Sequence, residues 1–184
     1  MKASSLRHTL QCFAAASLLL ALAACSTFDR AAAPEIDGKA AWVVLPFANH
    51  TETPLAGNRA ESIAEALLRS AGVARVRSTP STLAQEALFE PGSERKLQEE
   101  ALKWARQQGA RYALTGSVDE WRYKVGVDGE PAVGVTLSVI DVASGETLWS
   151  GVGAKSGWSR EALAAVAQKV LRNLIADALA KKRD

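Results

Sequence analysis

The stretch PAVGVTLSVIDVASGETLWSGV, residues 131–152, contains two strand-like runs joined by a turn. In the first run, apolar residues recur at every second position, which is the period of a strand with one buried face. Ser144-Gly145 marks the turn, and a second short strand follows it. The sequence therefore predicts strands over 131–142 and 147–153, paired as an antiparallel hairpin.

Trp149 is the bulkiest side chain of this hairpin, and the register of the turn decides its surroundings. An even-length turn pairs Trp149 with Ile140, on the face that carries Ser138. Val139 and Val152 then lie on the other face, towards the core. An odd-length loop would reverse the two faces. On the even register we expect Trp149 to lie outside the helix-packed core.

Upstream and downstream of the hairpin, strand-like and helix-like patterns alternate along the chain. Glycines stand where helix C-caps belong, and apolar residues recur at helical spacing between them. The predicted elements are, in chain order, strand 41–47, helix 58–72, strand 73–77, helix 93–109, strand 111–125, the hairpin, and a helix from Ser159. The order β-α-β-α-β-β-β-α predicts an α+β (α/β) sandwich with a mixed sheet of about five strands and three to four helices.

The N-terminus has the features of a bacterial lipoprotein signal. Lys2 and Arg7 precede a twelve-residue apolar run, too short to span a bilayer as a helix. The run ends in Leu-Ala-Ala-Cys, a lipobox whose cysteine, Cys25, accepts the lipid. Ser26, rather than Asp, at the next position favours the outer membrane. We therefore expect a signal peptide over 1–24 and a lipid anchor at Cys25.

Residues 25–40 are expected to form the lipidated cysteine and a flexible tether, because they have no apolar period. Residues 41–184 are expected to form a single globular domain. Of the two cysteines, Cys12 leaves with the signal and Cys25 carries lipid, so no disulfide is expected.

The charge balance argues against nucleic acid as a partner. The full chain has 22 Lys and Arg against 20 Asp and Glu, but two of the basic residues belong to the signal. The mature chain therefore has 22 − 2 = 20 basic and 20 acidic residues, and its net charge is zero. A nucleic-acid-binding protein usually concentrates positive charge.

Catalytic and metal sites have few candidates. His50 is the one histidine of the mature chain, and no nucleophile-elbow motif is present. A zinc site needs three or four nitrogen or sulfur ligands, which one histidine cannot supply. We therefore expect no enzymatic activity, no metal and no cofactor.

Residues 117–131, SVDEWRYKVGVDGEP, combine acidic and aromatic residues. On a regular strand Asp119, Trp121 and Tyr123 share one face, and Glu120 lies on the other. Acid beside aromatic is typical of surfaces that handle polysaccharides, and also of subunit interfaces. The composition leaves these two interpretations open.

Three motifs within 116–161 resemble the PelC family, the outer-membrane lipoproteins of the Pel exopolysaccharide export system. They are EWRYK-G-DGEPAVG, SG-TLWS and SGWSRE, and the resemblance extends over roughly 41–180. The opening VVLPFANHT is shared more loosely with other lipoproteins of similar topology, including the curli secretion channel and penicillin-binding-protein activators.

The resemblance implies a non-enzymatic protein that forms a ring, a dodecamer, beneath a partner outer-membrane β-barrel, PelB. An acidic funnel would guide cationic Pel polysaccharide to the pore, and Asp119, Glu120, Asp128 and Glu130 are the residues carried over to it. Arg122 and Lys124 interrupt this set. Trp149 is carried over as the contact with outer-membrane lipid. The alternative function is a lipoprotein activator that docks on a periplasmic cell-wall enzyme.

Overall fold

The computed structural model describes residues 26–32, 35–80, 94–126 and 129–180. Within them the chain forms six strands and three helices. The elements are β1 (Ser26–Arg30), β2 (Ala41–Asn49), α1 (Ala56–Ser70), β3 (Arg75–Ser78), α2 (Glu94–Gln107), β4 (Tyr112–Tyr123), β5 (Pro131–Asp141), β6 (Thr147–Ser156) and α3 (Leu163–Ala178).

The strands form one mixed sheet in the order β1-β6-β5-β4-β2-β3. β2 pairs in parallel with β3 and β4, and the remaining pairs are antiparallel. The predicted mixed sheet and α+β class are confirmed, and the predicted hairpin corresponds to β5 and β6. Six strands are present where about five were expected, because the N-terminal segment adds β1.

β1 corrects the prediction of a flexible tether over 25–40. Ser26 to Arg30 pair with β6, from Ser26 beside Lys155 to Arg30 beside Gly151. Phe28 packs against the main core, and Arg30 forms an ion pair with Asp177. The segment lacks an apolar period because only one of its five side chains faces the core. The sheet therefore includes residues 26–30, which lie upstream of residue 41.

One side of the sheet is covered by α1 and α3, and the main core lies there. Ala60, Ala64 and Leu68 of α1 and Val170 and Leu174 of α3 are buried against the strands. We call this the covered face. The other side carries α2, where Ala101 and Ala105 pack on Val43 and Leu45 of β2 in a smaller cluster.

The predicted position of Trp149 is wrong. The register shifts between Val139 and Ile140, so that Ile140 pairs with Thr147 and Val139 pairs with Trp149. Leu148 is the extra residue of this bulge, and a one-residue slip exchanges the faces of a strand. Trp149 is consequently 1% exposed on the covered face. A side chain buried in this way is not in contact with lipid.

Glycines make room for the aromatic rings on the covered face of β6. A Cβ added at Gly151 would lie 2.7 Å from the Trp149 ring, and one at Gly153 would lie 2.6 Å from the Phe28 ring. Distances this short are not tolerated between carbon atoms, so the rings require glycine beneath them. Trp-x-Gly-x-Gly in β6 is therefore a packing pattern of the core.

No helix within the described ranges has the length and apolar character needed to cross a membrane.

Candidate functional site

Asp119 is held at the surface by three side chains from three parts of the fold. His50 Nδ1 lies 3.0 Å from Asp119 Oδ1, and Ser117 Oγ donates to the same oxygen at 3.0 Å. Thr136 Oγ1 donates to Asp119 Oδ2 at 3.1 Å. The Asp119 side chain remains 42% exposed. These four residues, His50, Ser117, Asp119 and Thr136, are called the Asp119 cluster.

A β-bulge in β4 creates the cluster. Val118 pairs with Val135 and Glu120 with Gly134, so Asp119 is the extra residue between them. His50 follows β2 directly, and its backbone N–H donates to Val118 O at 2.9 Å. That bond holds the imidazole beside the bulge.

The bulge also overturns the expectation that Asp119, Trp121 and Tyr123 share one face. Trp121 is 3% exposed and belongs to the main core together with Val118. Asp119 instead contacts Ser117 and Thr136, whose side chains lie on the opposite side of the sheet. The acid and the tryptophan are separated because the extra residue shifts the alternation by one position.

The other carried-over carboxylates that can be described have basic partners. Glu120 Oε1 accepts from Arg122 Nε at 3.0 Å, and Glu130 Oε2 lies 3.8 Å from Lys124 Nζ. Asp128 lies outside the described residues, as does Cys25. Among the carried-over carboxylates that the structure describes, Asp119 therefore differs from Glu120 and Glu130. The partners of Asp119 are hydroxyl groups and an imidazole, whereas those of the two glutamates are permanent cations.

A second surface, which the sequence did not reveal, lies at the end of the sheet where β4 and β6 finish. Tyr123, Val125 and Trp158 are exposed there at 51%, 101% and 69%. β1 begins at the same end, since Ser26 pairs with Lys155, three residues before Trp158. We call this surface the aromatic end. The sequence SGWSRE did not predict this surface, because no periodic pattern indicates whether a single tryptophan is exposed.

The loop that carries Trp158 is fixed by hydrogen bonds. Trp158 N–H donates to Glu161 Oε2 at 3.1 Å, and Leu163 N–H donates to Tyr123 Oη at 3.1 Å. The Lys169 ammonium, with help from the Trp158 N–H, holds the pKa of Glu161 below its usual value. The exposed indole is therefore presented by an ordered loop.

One acidic residue outside both surfaces has an unusual protonation equilibrium. Burial raises the pKa of Glu61 to about 7, and the neighbouring Glu65 carboxylate adds to the increase. A backbone hydrogen bond from Phe47 acts in the opposite direction. Glu61 lies on α1, so it belongs to the covered side of the sheet and not to the Asp119 cluster.

The chemistry of the Asp119 cluster suits charge presentation better than catalysis. Ser117 Oγ and His50 Nδ1 approach the same carboxylate oxygen, so the serine hydroxyl is directed at the acid. In a nucleophilic triad the serine would instead be bonded to the histidine. Among the described residues, no group of three or more His, Cys, Asp or Glu side chains could hold a metal ion.

Comparison with known proteins gives both a family and close structural relatives. The model of the peptidoglycan-synthase activator LpoB family matches residues 28–154. A PelC dodecamer from Paraburkholderia phytofirmans is 41% identical, with 85% of this chain and 99% of that chain aligned at a TM-score of 0.72. No curated protein sequence matches.

Two other solved structures align with this chain at lower identity. A lipoprotein from Neisseria meningitidis is 18% identical over 74% of this chain and 95% of that one, at a TM-score of 0.52. The LpoB C-terminal domain from Salmonella enterica is 24% identical over 68% of this chain and 88% of that chain, at a TM-score of 0.46.

Proposed function

The chain belongs to the PelC family and also to the family of the peptidoglycan-synthase activator LpoB, and on that premise we propose that it is a non-enzymatic lipoprotein of exopolysaccharide export. It forms a ring on the periplasmic side of the outer membrane, anchored by lipid at Cys25. The ring guides a cationic amino-sugar polymer, Pel, towards a β-barrel pore of the PelB type.

The observation that carries this proposal is the setting of Asp119. Its carboxylate is partly exposed, and its described partners are two hydroxyl groups and an imidazole. It therefore presents its carboxylate at the surface without a Lys or Arg side chain among its described partners. Glu120 and Glu130 contribute less net charge, because Arg122 and Lys124 lie beside them.

A ring turns this small contribution into a useful field. A single exposed carboxylate acts over about 8 Å at physiological salt. The same carboxylate repeated around a closed ring produces a summed potential, which raises the local concentration of a polycation. Each contact remains weak, so the polymer is guided without being trapped. This is the requirement for a surface along which a long chain must move.

The aromatic end is the part of the domain that we expect to face the membrane. β1 begins at Ser26, so a lipid on Cys25 leaves no slack between the anchor and the sheet. Tyr123, Val125 and Trp158 are exposed at that end, and an indole suits the membrane–water boundary. This contact replaces the one predicted for Trp149.

The membrane contact is tested with Trp158→Ala in the full lipidated chain. Fluorescence quenching by brominated lipids is expected to fall relative to wild type, because the other tryptophans contribute little if they stay away from the bilayer. If brominated lipids do not quench the fluorescence of the wild-type protein, the aromatic end does not contact the membrane.

The guiding role is tested with Asp119→Asn, which removes the charge and nearly preserves the shape of the side chain. We expect the ring to assemble while Pel recovered outside the cell falls severalfold. Glu120→Gln is the matched control, since that carboxylate is already paired with Arg122. Wild-type secretion from a well-expressed Asp119→Asn strain would contradict the assignment.

The family model favours a second candidate, an activator that docks on a periplasmic peptidoglycan synthase. The two functions differ in size and in partner. A ring measured by light scattering of the detergent-solubilised mature chain supports polymer export. A monomer that co-purifies with a synthase supports activation. The 41% identity to PelC over 85% of this chain makes export the better supported function.

A further inference from the structure

The sheet has a large surface without a described helix over it. On the side away from α3, the strands β5, β6 and β1 carry Thr27, Asp29, Thr136, Ser138, Ser150, Val152 and Ala154, which we call the bare face. Within the described ranges, the helix on this side is α2, and it packs on β2 at the other end of the sheet. Val152, in the middle of the bare face, is 42% exposed.

The composition of the bare face differs from that of the solvent-exposed helices. Asp29, on the edge strand β1 beside Val152, is the one charged residue among these seven, and β5 and β6 contribute none, although 23% of the chain is charged. The outer surface of α3, by comparison, exposes Lys169, Arg172 and Asn173. A sheet face that remains in water normally carries longer polar side chains, whereas the centres of protein interfaces are depleted of charge.

Three hydroxyl groups of the bare face, those of Thr136, Ser138 and Ser150, already have partners within the chain. Ser138 Oγ and Ser150 Oγ are 3.2 Å apart, and Ser150 Oγ donates to Leu137 O at 3.2 Å. Covering these groups leaves no new polar atom without a partner, so the desolvation penalty is small. Their short side chains also allow another surface to approach the sheet closely.

We propose that the bare face is where a neighbouring copy of this chain packs when the ring assembles. This inference rests on the proposed ring, and the dodecameric state of the 41% identical relative supports a second copy as the occupant. In a cyclic ring the contact is heterologous, so the bare face meets a different surface of the neighbour.

The position of the bare face also affects the Asp119 cluster. Thr136 belongs to both, since its hydroxyl donates to Asp119 Oδ2. Packing a neighbour on the bare face therefore brings the next subunit close to each Asp119 carboxylate. Asp119 then stands at the rim of a subunit boundary, where identical carboxylates recur at the ring's repeat.

Val152→Lys in the full lipidated chain tests the interface. A lysine is tolerated on an exposed strand but opposes burial of that strand. We expect the variant to lose the ring in light scattering while circular dichroism and thermal unfolding retain a folded domain. Asn173→Lys adds the same charge on the exposed side of α3 and is expected to keep the ring. A Val152→Lys ring of wild-type size overturns the interface.

Thiol labelling keeps the proposal testable if Val152→Lys fails to fold. Lipidation consumes the thiol of Cys25, so Val152→Cys introduces the one free thiol of the mature chain. A maleimide is expected to label this cysteine slowly in the ring and rapidly after dissociation, whereas Asn173→Cys should react equally in both. Equal labelling of Val152→Cys in both states overturns the interface.

The oligomeric state of the wild-type protein distinguishes a failure of the proposed interface from a failure of the proposed ring. A wild-type ring together with an undisturbed Val152→Lys ring removes only the interface assignment. A wild-type chain that is monomeric at all concentrations removes the ring itself, and the interface with it.

Discussion

The two faces of β6 show opposite solutions to packing a strand. On the covered face the strand carries Trp149, Gly151 and Gly153. The Trp149 ring packs over Gly151 and the Phe28 ring of β1 packs over Gly153, beneath α3. On the bare face the same strand carries Ser150, Val152 and Ala154, with no large ring and no described helix over them. The difference teaches that stability is concentrated on one side of the sheet, and the other side is available for association.

The covered face nevertheless contains a buried polar group without a hydrogen-bond partner. Trp149 Nε1 is buried and has no hydrogen-bond partner among the described residues. An unpaired buried donor costs roughly 1–3 kcal/mol. The ring must therefore contribute more through apolar burial than its N–H group loses, and this balance can be tested.

The largest effect on the contrast between the faces is expected from Trp149→Ala. Removing a fully buried tryptophan leaves a cavity, and such changes cost about 3–5 kcal/mol of the free energy of unfolding. Urea denaturation of the full chain at fixed protein concentration measures this. Trp158→Ala is the matched control and should leave the midpoint nearly unchanged. Equal losses from the two variants would contradict the burial difference.

The next largest effect is expected from Glu61→Gln and depends on pH. The raised pKa of Glu61 means that the fold favours the protonated acid, so stability is lost as pH rises from about 4.5 through about 7. Glutamine removes this loss. At pH 8 the variant should be more stable by up to about 3 kcal/mol, because each pKa unit corresponds to 1.4 kcal/mol.

The control for Glu61→Gln is the same measurement at pH 4, where the wild-type acid is protonated. The two proteins should then unfold at similar urea concentrations. A constant difference between pH 4 and pH 8 would mean that the substitution acts through packing and not through ionisation.

The smallest expected effect comes from adding or removing one atom on β6. Gly151→Ala places a Cβ 2.7 Å from the Trp149 ring, and overpacking of this kind costs about 1–3 kcal/mol. Ser150→Ala changes the adjacent residue on the bare face and should stay within about 0.5 kcal/mol. Thermal unfolding of both variants gives the comparison, and a tolerated Gly151→Ala would show that the ring can move.

Most of the architecture could be predicted from the sequence because it depends on local periodicity. Alternation in 131–142 and helical spacing from Ser159 correspond to β5 and α3. β1 could not be predicted, since its pairing with β6 is made across more than a hundred residues and only Phe28 enters the core.

Two bulges account for the residues that were assigned to the wrong face. The extra residue Leu148 brings Trp149 into the core, and the extra residue Asp119 separates that carboxylate from Trp121. A bulge shifts the alternation of side chains by one position within its strand, and the sequence alone does not show where that shift occurs. The faces before and after a bulge are consequently fixed by tertiary contacts.

The candidate site was partly predictable for the same reason. Asp119 was named through the resemblance to PelC, but its contacts with His50 and Thr136 join residues 69 and 17 positions away. The cationic partners of Glu120 and Glu130 were nearer in sequence and were visible as interruptions of the acidic set. The aromatic end had no periodic signal at all.

The position of β1 has a mechanical consequence. If Cys25 is held in the membrane, a force that lifts the domain pulls β1 along its own axis. The ladder with β6 is then loaded in shear, so its hydrogen bonds share the load and are not broken one after another. The Arg30–Asp177 ion pair adds a cross-link at the far end of the strand. In the proposed export ring, a domain fastened in this way can resist the drag of a polymer moving past it.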